Sequence, residues 1–210
     1  MEANKSLPRK EREKLNRKME ILNAAIDLFA LKGFFNTTLD EIAAASEFGK
    51  GTLYNYFSSK EEIIKSIIED VISKNLENLK SADDSSKTFD EFITCYTKSI
   101  FEFHSQNPNA FILLSEFYIE QLKRGQYKPS DDAFTKLHSK IDSILIKRIE
   151  TAIKKKEIKK VNANYLHMLY HDMVFPYAMD IFNRMPKDSL NIDEHIKFIH
   201  DIIFNGISNR

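Results

Sequence analysis

The chain has 210 residues, long enough to bury a substantial core as one or two domains. Its 31 basic and 31 acidic residues give no net charge, so overall charge favours no class of partner. The single cysteine excludes an internal disulfide framework and a cysteine-based zinc cluster. The first twenty residues are polar and no long apolar run occurs, so we expect a cytoplasmic protein without a signal peptide or membrane span.

The N-terminal segment is basic although the whole chain is neutral. Residues 1–18 contain seven Lys or Arg against three Glu, a local net charge of +4. This pattern predicts a basic, flexible arm that would suit a polyanion. A frayed terminus that is merely solvated is the alternative, and the composition alone does not decide between them.

Helical periodicity extends over nearly the whole chain, and no segment alternates like a β-strand. A first apolar stripe ends at Gly33, a typical helix stop. A short second stripe follows Thr38, which stands three residues before Glu41 as in a capping box. A third short helix and a longer one precede the polar segment 81–87, which is the best candidate for a linker. We predict an all-α fold of about nine helices.

The second half of the chain contains five longer helices. The segment 124–130 contains Gly125 and Pro129 and is predicted to be a loop. The segment 162–182 is apolar on more than one face, and the last helix is predicted over 192–207. Pro176 lies inside the former segment and should kink its helix.

The second and third helices form a tight pair, predicted over 39–45 and 50–57 with a turn at 46–48. Two short helices joined by such a turn are typical of the helix-turn-helix unit, whose second helix enters the major groove of DNA. The predicted third helix is rich in hydrogen-bond donors, which fits a surface that reads DNA. The predicted DNA-binding residues are Thr38, Lys50, Gly51, Thr52, Tyr54, Asn55, Tyr56 and Lys60.

Residues 21–63 resemble the DNA-binding domain of the tetracycline-repressor (TetR) family. The residues that carry the resemblance are Gly33, Thr37-Thr38-Leu39-Asp40-Glu41-Ile42-Ala43, Gly51-Thr52-Leu53-Tyr54-Asn55-Tyr56-Phe57 and Lys60-Glu61. The turn departs from the family pattern, because Glu47 stands where a glycine is usual. The turn is therefore expected either to hold Glu47 in a strained left-handed conformation or to follow a slightly different path.

The resemblance implies a homodimeric transcription regulator, usually a repressor, that binds a palindromic operator. It implies an N-terminal helix-turn-helix domain at 19–60, a connecting helix at 61–80, and a ligand-binding and dimerisation domain at 81–210. A small molecule, the inducer, would bind the C-terminal domain and weaken DNA binding. No cofactor and no enzymatic activity are implied.

The last two long helices are the expected dimer interface, by resemblance and because 162–182 is apolar on two faces. A helix buried centrally in a monomer is the alternative. The residues predicted at the interface are Leu169, Met173, Tyr177, Ile199 and Ile203.

An aromatic-rich pocket would suit a bulky, largely apolar inducer. The predicted lining residues are Phe103, Phe111, Phe117, Tyr118, His171, Phe175 and Met179. The alternative for each of them is an ordinary core position.

His167 and His171 have the i, i+4 spacing of some metal ligands, but a third ligand is not identifiable. A structural or pocket role is therefore favoured, no metal is predicted, and a metal-dependent helical enzyme is the least favoured alternative. A second alternative is a protein of the same fold that has lost DNA binding and acts as a ligand-binding or interaction module. Cys95 is expected to be a small buried residue.

Overall fold

The computed structural model of the chain describes residues 8–123, 133–184 and 190–207. Within these ranges it contains nine α-helices and no β-strand, which confirms the all-α prediction. No helix in the same ranges combines the length and the hydropathy needed to cross a membrane. The helices are α1 (Arg9–Lys32), α2 (Leu39–Ala45), α3 (Lys50–Tyr54), α4 (Lys60–Ser85), α5 (Phe89–Gln106), α6 (Pro108–Lys123), α7 (Ala133–Lys154), α8 (Ala163–Arg184) and α9 (Ile192–Ile207).

Local sequence signals place several helix ends. Thr38 and Glu41 form the predicted capping box at the start of α2, and Thr88 and Glu91 form a second one at the start of α5. Gly33 ends α1 with a φ of 82°, a conformation that suits glycine. The reciprocal hydrogen bonds of the two capping boxes satisfy backbone N–H groups that a helix N-terminus otherwise leaves without partners.

Three boundaries differ from the sequence prediction. The segment 1–18 was expected to be flexible, but α1 already begins at Arg9 because strong helix formers fill this stretch, and residues 1–7 lie outside the described residues. Most of the expected linker 81–87 belongs to α4, which ends at Ser85. The helix α3 ends at Tyr54, three residues before the predicted end. The predicted loop 124–130 lies outside the described residues.

The described residues form two hydrophobic cores. The smaller core joins α1, α2, α3, the start of α4 and one residue of α6; its buried members are Ile21, Leu22, Ala25, Phe29, Ile42, Ala43, Leu53, Phe57, Ile63, Ile67 and Leu113. The larger core joins the rest of α4 to α5–α9. The segment 19–60, predicted to bind DNA, is therefore packed against Ile63, Ile67 and Leu113, which lie beyond its predicted limits.

Among the described residues, α4 and α6 contribute buried side chains to both cores. On α4, Ile67 lies in the smaller core and Ile68 in the larger one. On α6, Leu113 is 1% exposed in the smaller core, and its neighbour Leu114 belongs to the larger one. Since buried side chains are close-packed, a shift of either helix must be felt in both cores.

Candidate nucleic-acid interface and ligand cavity

The short helix α3 is anchored on one side and open on the other. Leu53 and Phe57 are buried in the smaller core. Of the predicted DNA-binding residues of this segment, Lys50, Gly51, Tyr54 and Asn55 are exposed and Thr52 is partly exposed, whereas Tyr56 is partly exposed and packs against this core. The structure thus brings these six positions together around a helix whose other face is fixed.

The turn between α2 and α3 takes the first of the two expected forms, with a left-handed residue. Glu47 has a φ of 59°. The Phe48 N–H donates to the Ala43 carbonyl at 2.9 Å, and the Glu47 N–H donates to the Ala44 carbonyl at 3.1 Å, which together form a Schellman motif. Phe48 packs against the smaller core. A residue other than glycine in this conformation costs about 1 kcal/mol.

We expect Glu47→Gly to raise the free energy of unfolding by about 0.5–1 kcal/mol, because glycine removes the strain at the left-handed position. Lys156 is a matched control, since it has a φ of 61° in a second Schellman motif after α7. Chemical denaturation should show a similar gain for Lys156→Gly. Only Glu47→Gly should also tighten DNA binding, because it removes a carboxylate beside α3. An unchanged or lower stability for both variants would contradict the strain argument.

Lys50 is held by a partner that sequence reasoning missed. Its Nζ lies 2.5 Å from Asp40 Oδ2 on α2, and both side chains are exposed. The hydrogen bond to Asp40 raises the pKa of Lys50, so its ammonium stays charged. The two residues are ten positions apart across a turn, and no helical spacing rule links them. The predicted contact of Lys50 with DNA would require its ammonium to exchange this carboxylate for a phosphate or a base.

Two of the predicted DNA contacts serve the fold itself. Lys60 Nζ donates to the Phe34 carbonyl at 2.9 Å and lies 4.8 Å from the centre of the Phe34 ring. It therefore joins the start of α4 to the segment that follows α1, and its contact with DNA stays a prediction. Thr38 is exposed, but its hydroxyl donates to Glu41 Oε2 at 2.8 Å. Hydrogen bonds from Lys32 and Thr38 lower the pKa of Glu41 to about 2.

Two small cavities lie among the helices of the larger core. The first has a volume of about 30 Å³, and its lining residues are Val71, Ile72, Asn75, Asn78, Ile100, Phe103, His104, Leu114 and Phe175. The second has a volume of about 20 Å³, and its lining residues are Asn75, Tyr96, Ile100, Leu145, Tyr170, His171, Val174 and Phe175. Each has room for about a water molecule, so a larger ligand requires the helices to move.

The predicted ligand residues divide among several places. Phe103, His171 and Phe175 line the cavities. Phe111 is buried against Phe175, with ring centres 4.6 Å apart. Met179 is partly exposed on α8 and lines neither cavity. The side chains of Phe117 and Tyr118 lie outside the described residues.

His104 was missed by sequence reasoning and is the most unusual group at the first cavity. It is 3% exposed, and neither ring nitrogen has a hydrogen-bond partner among the described residues. Burial lowers the pKa of His104 to about 3, so the ring is neutral at physiological pH. A buried polar group without a partner costs about 1–3 kcal/mol. The sequence signal for its burial is its position four residues after Ile100, on the buried stripe of α5.

The histidine pair considered for metal binding is engaged with protein groups. His167 Nε2 lies 3.0 Å from Asp142 Oδ1, and His138 Nδ1 lies 3.3 Å from Asp142 Oδ2. Burial opposes the charge of Asp142, but these two histidines outweigh it and hold its pKa below the usual range. The ring of His171 stacks on Phe175. Among the described residues, no group of three potential ligands is arranged to hold a metal ion.

Cys95 is exposed, which corrects the expectation of a buried residue. The buried stripe of α5 passes through the next position, Tyr96, which is 3% exposed. One residue corresponds to about 100° around a helix, so Cys95 lies off that stripe.

An apolar surface on α8 and α9 remains uncovered in the single chain. Leu169 is 64% exposed and Phe198 is 51% exposed. We define the α8–α9 face as Leu169, Met173, Tyr177, Phe198 and Ile202, of which Tyr177 and Phe198 have ring centres 5.9 Å apart. Ile199 and Ile203, predicted at an interface, instead lie in the chain's own core.

The anchored short helix, the tight turn and the exposed polar side chains define a helix-turn-helix protein. A family profile described as bacterial regulatory proteins, tetR family, matches residues 21–67. YhgD of Bacillus subtilis strain 168, an uncharacterised HTH-type transcriptional regulator, is 27% identical over 167 residues, which cover 78% of this chain and 85% of YhgD. KstR2 of Rhodococcus jostii strain RHA1, an HTH-type transcriptional repressor, is 35% identical over 96 residues, covering 44% of this chain and 47% of KstR2.

The fold also resembles the crystal structure of the transcriptional regulator FadR from Bacillus subtilis in complex with stearoyl-CoA. The TM-score is 0.72 and the identity 16%, with 90% of this chain and 98% of that chain covered. Residues 21–67 therefore match the DNA-binding domain of the tetR family, and the chain is similar to HTH-type transcriptional regulators. The chain spans most of YhgD but less than half of KstR2.

Proposed function

We propose that the chain is a repressor that binds a palindromic operator as a homodimer and is released by a small, largely apolar inducer. The observation that carries this proposal is the exposed, donor-rich side of α3, fixed on its other side by Leu53 and Phe57. The similarity to KstR2, a repressor, supports the direction of regulation.

The α8–α9 face is the proposed dimer interface. A soluble chain rarely leaves a contiguous apolar surface of this kind without a partner. A two-fold axis through this face pairs two copies of α3. Each copy then reads one half-site, and the half-sites must lie about one duplex turn, ~34–36 Å, apart. The symmetry of the operator follows from the symmetry of the dimer.

The proposed inducer acts through α4 and α6. Leu114 lines the first cavity while Leu113 is buried in the smaller core, and on α4 Val71 lines the cavity one turn after Ile67 of the smaller core. A ligand that enlarges the cavity therefore displaces helices that hold the DNA-binding unit. It shifts the equilibrium only as far as it binds the two arrangements unequally. FadR with its stearoyl-CoA makes an acyl chain a reasonable class of inducer.

The interface is tested with labelled random-sequence duplex DNA by fluorescence anisotropy at several salt concentrations. We expect wild-type binding to weaken steeply with salt, because phosphate contacts release counterions. Lys50→Ala should weaken binding. Asp40→Asn should tighten it by about fivefold, because it frees Lys50 from a competing carboxylate.

The matched controls are Lys147→Ala on α7 and Asp84→Asn near the end of α4, both at exposed positions on other helices than α2 and α3. Neither should change DNA affinity. A wild-type chain that binds no DNA at low salt would instead favour the module that has lost DNA binding. The Asp40–Lys50 pair and the Glu47 carboxylate are the features that favour that alternative.

A further inference from the structure

The first cavity is lined by one polar group that no described residue satisfies by a hydrogen bond. His104 lines this cavity, and both of its ring nitrogens are buried without a hydrogen-bond partner among the described residues. The other lining residues are apolar except Asn75 and Asn78 of α4, and none of them carries a charge. The ring offers one N–H donor and one nitrogen acceptor, because the neutral imidazole has one of each.

We propose that His104 anchors the inducer, and that the inducer is an apolar chain ending in an oxygen-bearing group that hydrogen-bonds to the imidazole. This inference rests on the proposed function, because it assigns the chemistry of the same ligand site. A carboxyl, carbonyl or hydroxyl oxygen accepts from the ring N–H, and the uncharged lining provides no ion-pair partner for a larger charged group. A water molecule fits the cavity at its present volume, and the ligand oxygen replaces it.

The apolar part of the ligand has a direct route away from His104. The two cavities share Asn75, Ile100 and Phe175 as walls, so a movement of the Phe175 ring joins them. The joined space leads from His104 towards Tyr96, Tyr170 and Val174. Residues of α4, α5, α6, α7 and α8 line this space, and an elongated molecule would follow it with less displacement of these helices than a bulky one.

The ligand also reaches the connecting helix. Asn75 and Asn78 are one turn apart on the side of α4 that lines the cavity. Asn75 already accepts a hydrogen bond from the Tyr96 hydroxyl at 3.2 Å. A chain that passes Asn75 must displace this contact, and α4 transmits the displacement towards Ile67 in the smaller core.

The test uses the full chain and three probes: decanoic acid, 1-decanol, and butylbenzene, which has no oxygen. Thermal shift and calorimetric titration give the affinity of each probe. His104→Phe keeps a ring in the cavity and removes the hydrogen bond. We expect it to weaken decanoic acid and 1-decanol by about tenfold or more and to leave butylbenzene within about threefold. His104→Gln retains a donor and an acceptor and should recover part of the loss.

His200→Phe is the matched control, because His200 lies on α9 beside Asp90 and does not line the cavity. It should bind all three probes as the wild type does, and circular dichroism should show that every variant is folded. Equal affinities in wild type and His104→Phe, or an equal loss for all three probes, would overturn the anchor. So would a wild type that binds neither oxygen-bearing probe. Binding of random duplex DNA is measured in a separate experiment. Failure of the His104 proposal therefore does not contradict the proposed regulator, and failure to bind DNA does not contradict the role of His104.

Discussion

Leu169→Glu should dissociate the proposed dimer and reduce operator affinity by about a hundredfold or more. Leu169 is the most exposed residue of the α8–α9 face, so the substitution hardly affects the fold of one chain. In a dimer the same carboxylate would be buried without a partner, which is strongly destabilising. A dimer that contacts both half-sites binds DNA about 10²–10⁴-fold more tightly than one copy on one half-site. This gain in affinity is lost when the two copies separate.

Light scattering with size-exclusion chromatography gives the oligomeric state, and anisotropy with a selected operator gives the affinity. Ile119→Glu is the matched control, because Ile119 is an exposed apolar residue on α6, outside the α8–α9 face. It should remain dimeric and keep its affinity. A Leu169→Glu protein that remains a dimer would place the interface elsewhere on the molecule.

Leu113→Ala should loosen the DNA-binding unit from a position outside it. Leu113 is fully buried in the smaller core although it belongs to α6, and replacing a buried leucine by alanine costs about 2–5 kcal/mol. We expect faster hydrogen exchange in α1–α3, because this core loses packing there. The same loss of packing should weaken the coupling by which α6 transmits a change at the first cavity to the smaller core.

Leu114→Ala is the control, one residue along the same helix. Leu114 lines the first cavity and belongs to the larger core, so its effect on exchange should appear in α4, α5 and α8 instead. Mass spectrometry of the exchanged peptides separates the two patterns. If both variants loosen the same helices, α6 does not divide its packing between the two cores as the structure indicates.

Features with a local cause could be predicted from the sequence. The capping box of Thr38 and Glu41 depends on residues three positions apart, and the left-handed Glu47 follows from a tight turn without glycine. The start and end of α9 coincide with the prediction, because its apolar stripe and its acidic first turn are strong. Helical periodicity therefore gave the number of helices correctly for the described residues.

Features that depend on contacts between helices could not be predicted in this way. The pairing of Lys50 with Asp40 and the clamp of Lys60 on Phe34 join separate elements. The apolar stripe of α9 does not reveal which positions face the chain's own core, and Ile199 proved to be there while Phe198 is exposed. His104 resembles any histidine in sequence, and only the packing around it shows that its nitrogens lack partners.

The most direct test of the central claim is selection of bound fragments from random duplex DNA by the purified protein at moderate salt. We expect enrichment of a palindrome whose half-sites lie about one duplex turn apart, because two copies of α3 read the DNA around a two-fold axis. The Lys50→Ala protein, selected in parallel, should enrich this palindrome less. A folded, dimeric wild type that enriches no sequence would contradict the assignment of α3 as the reading surface of a specific repressor.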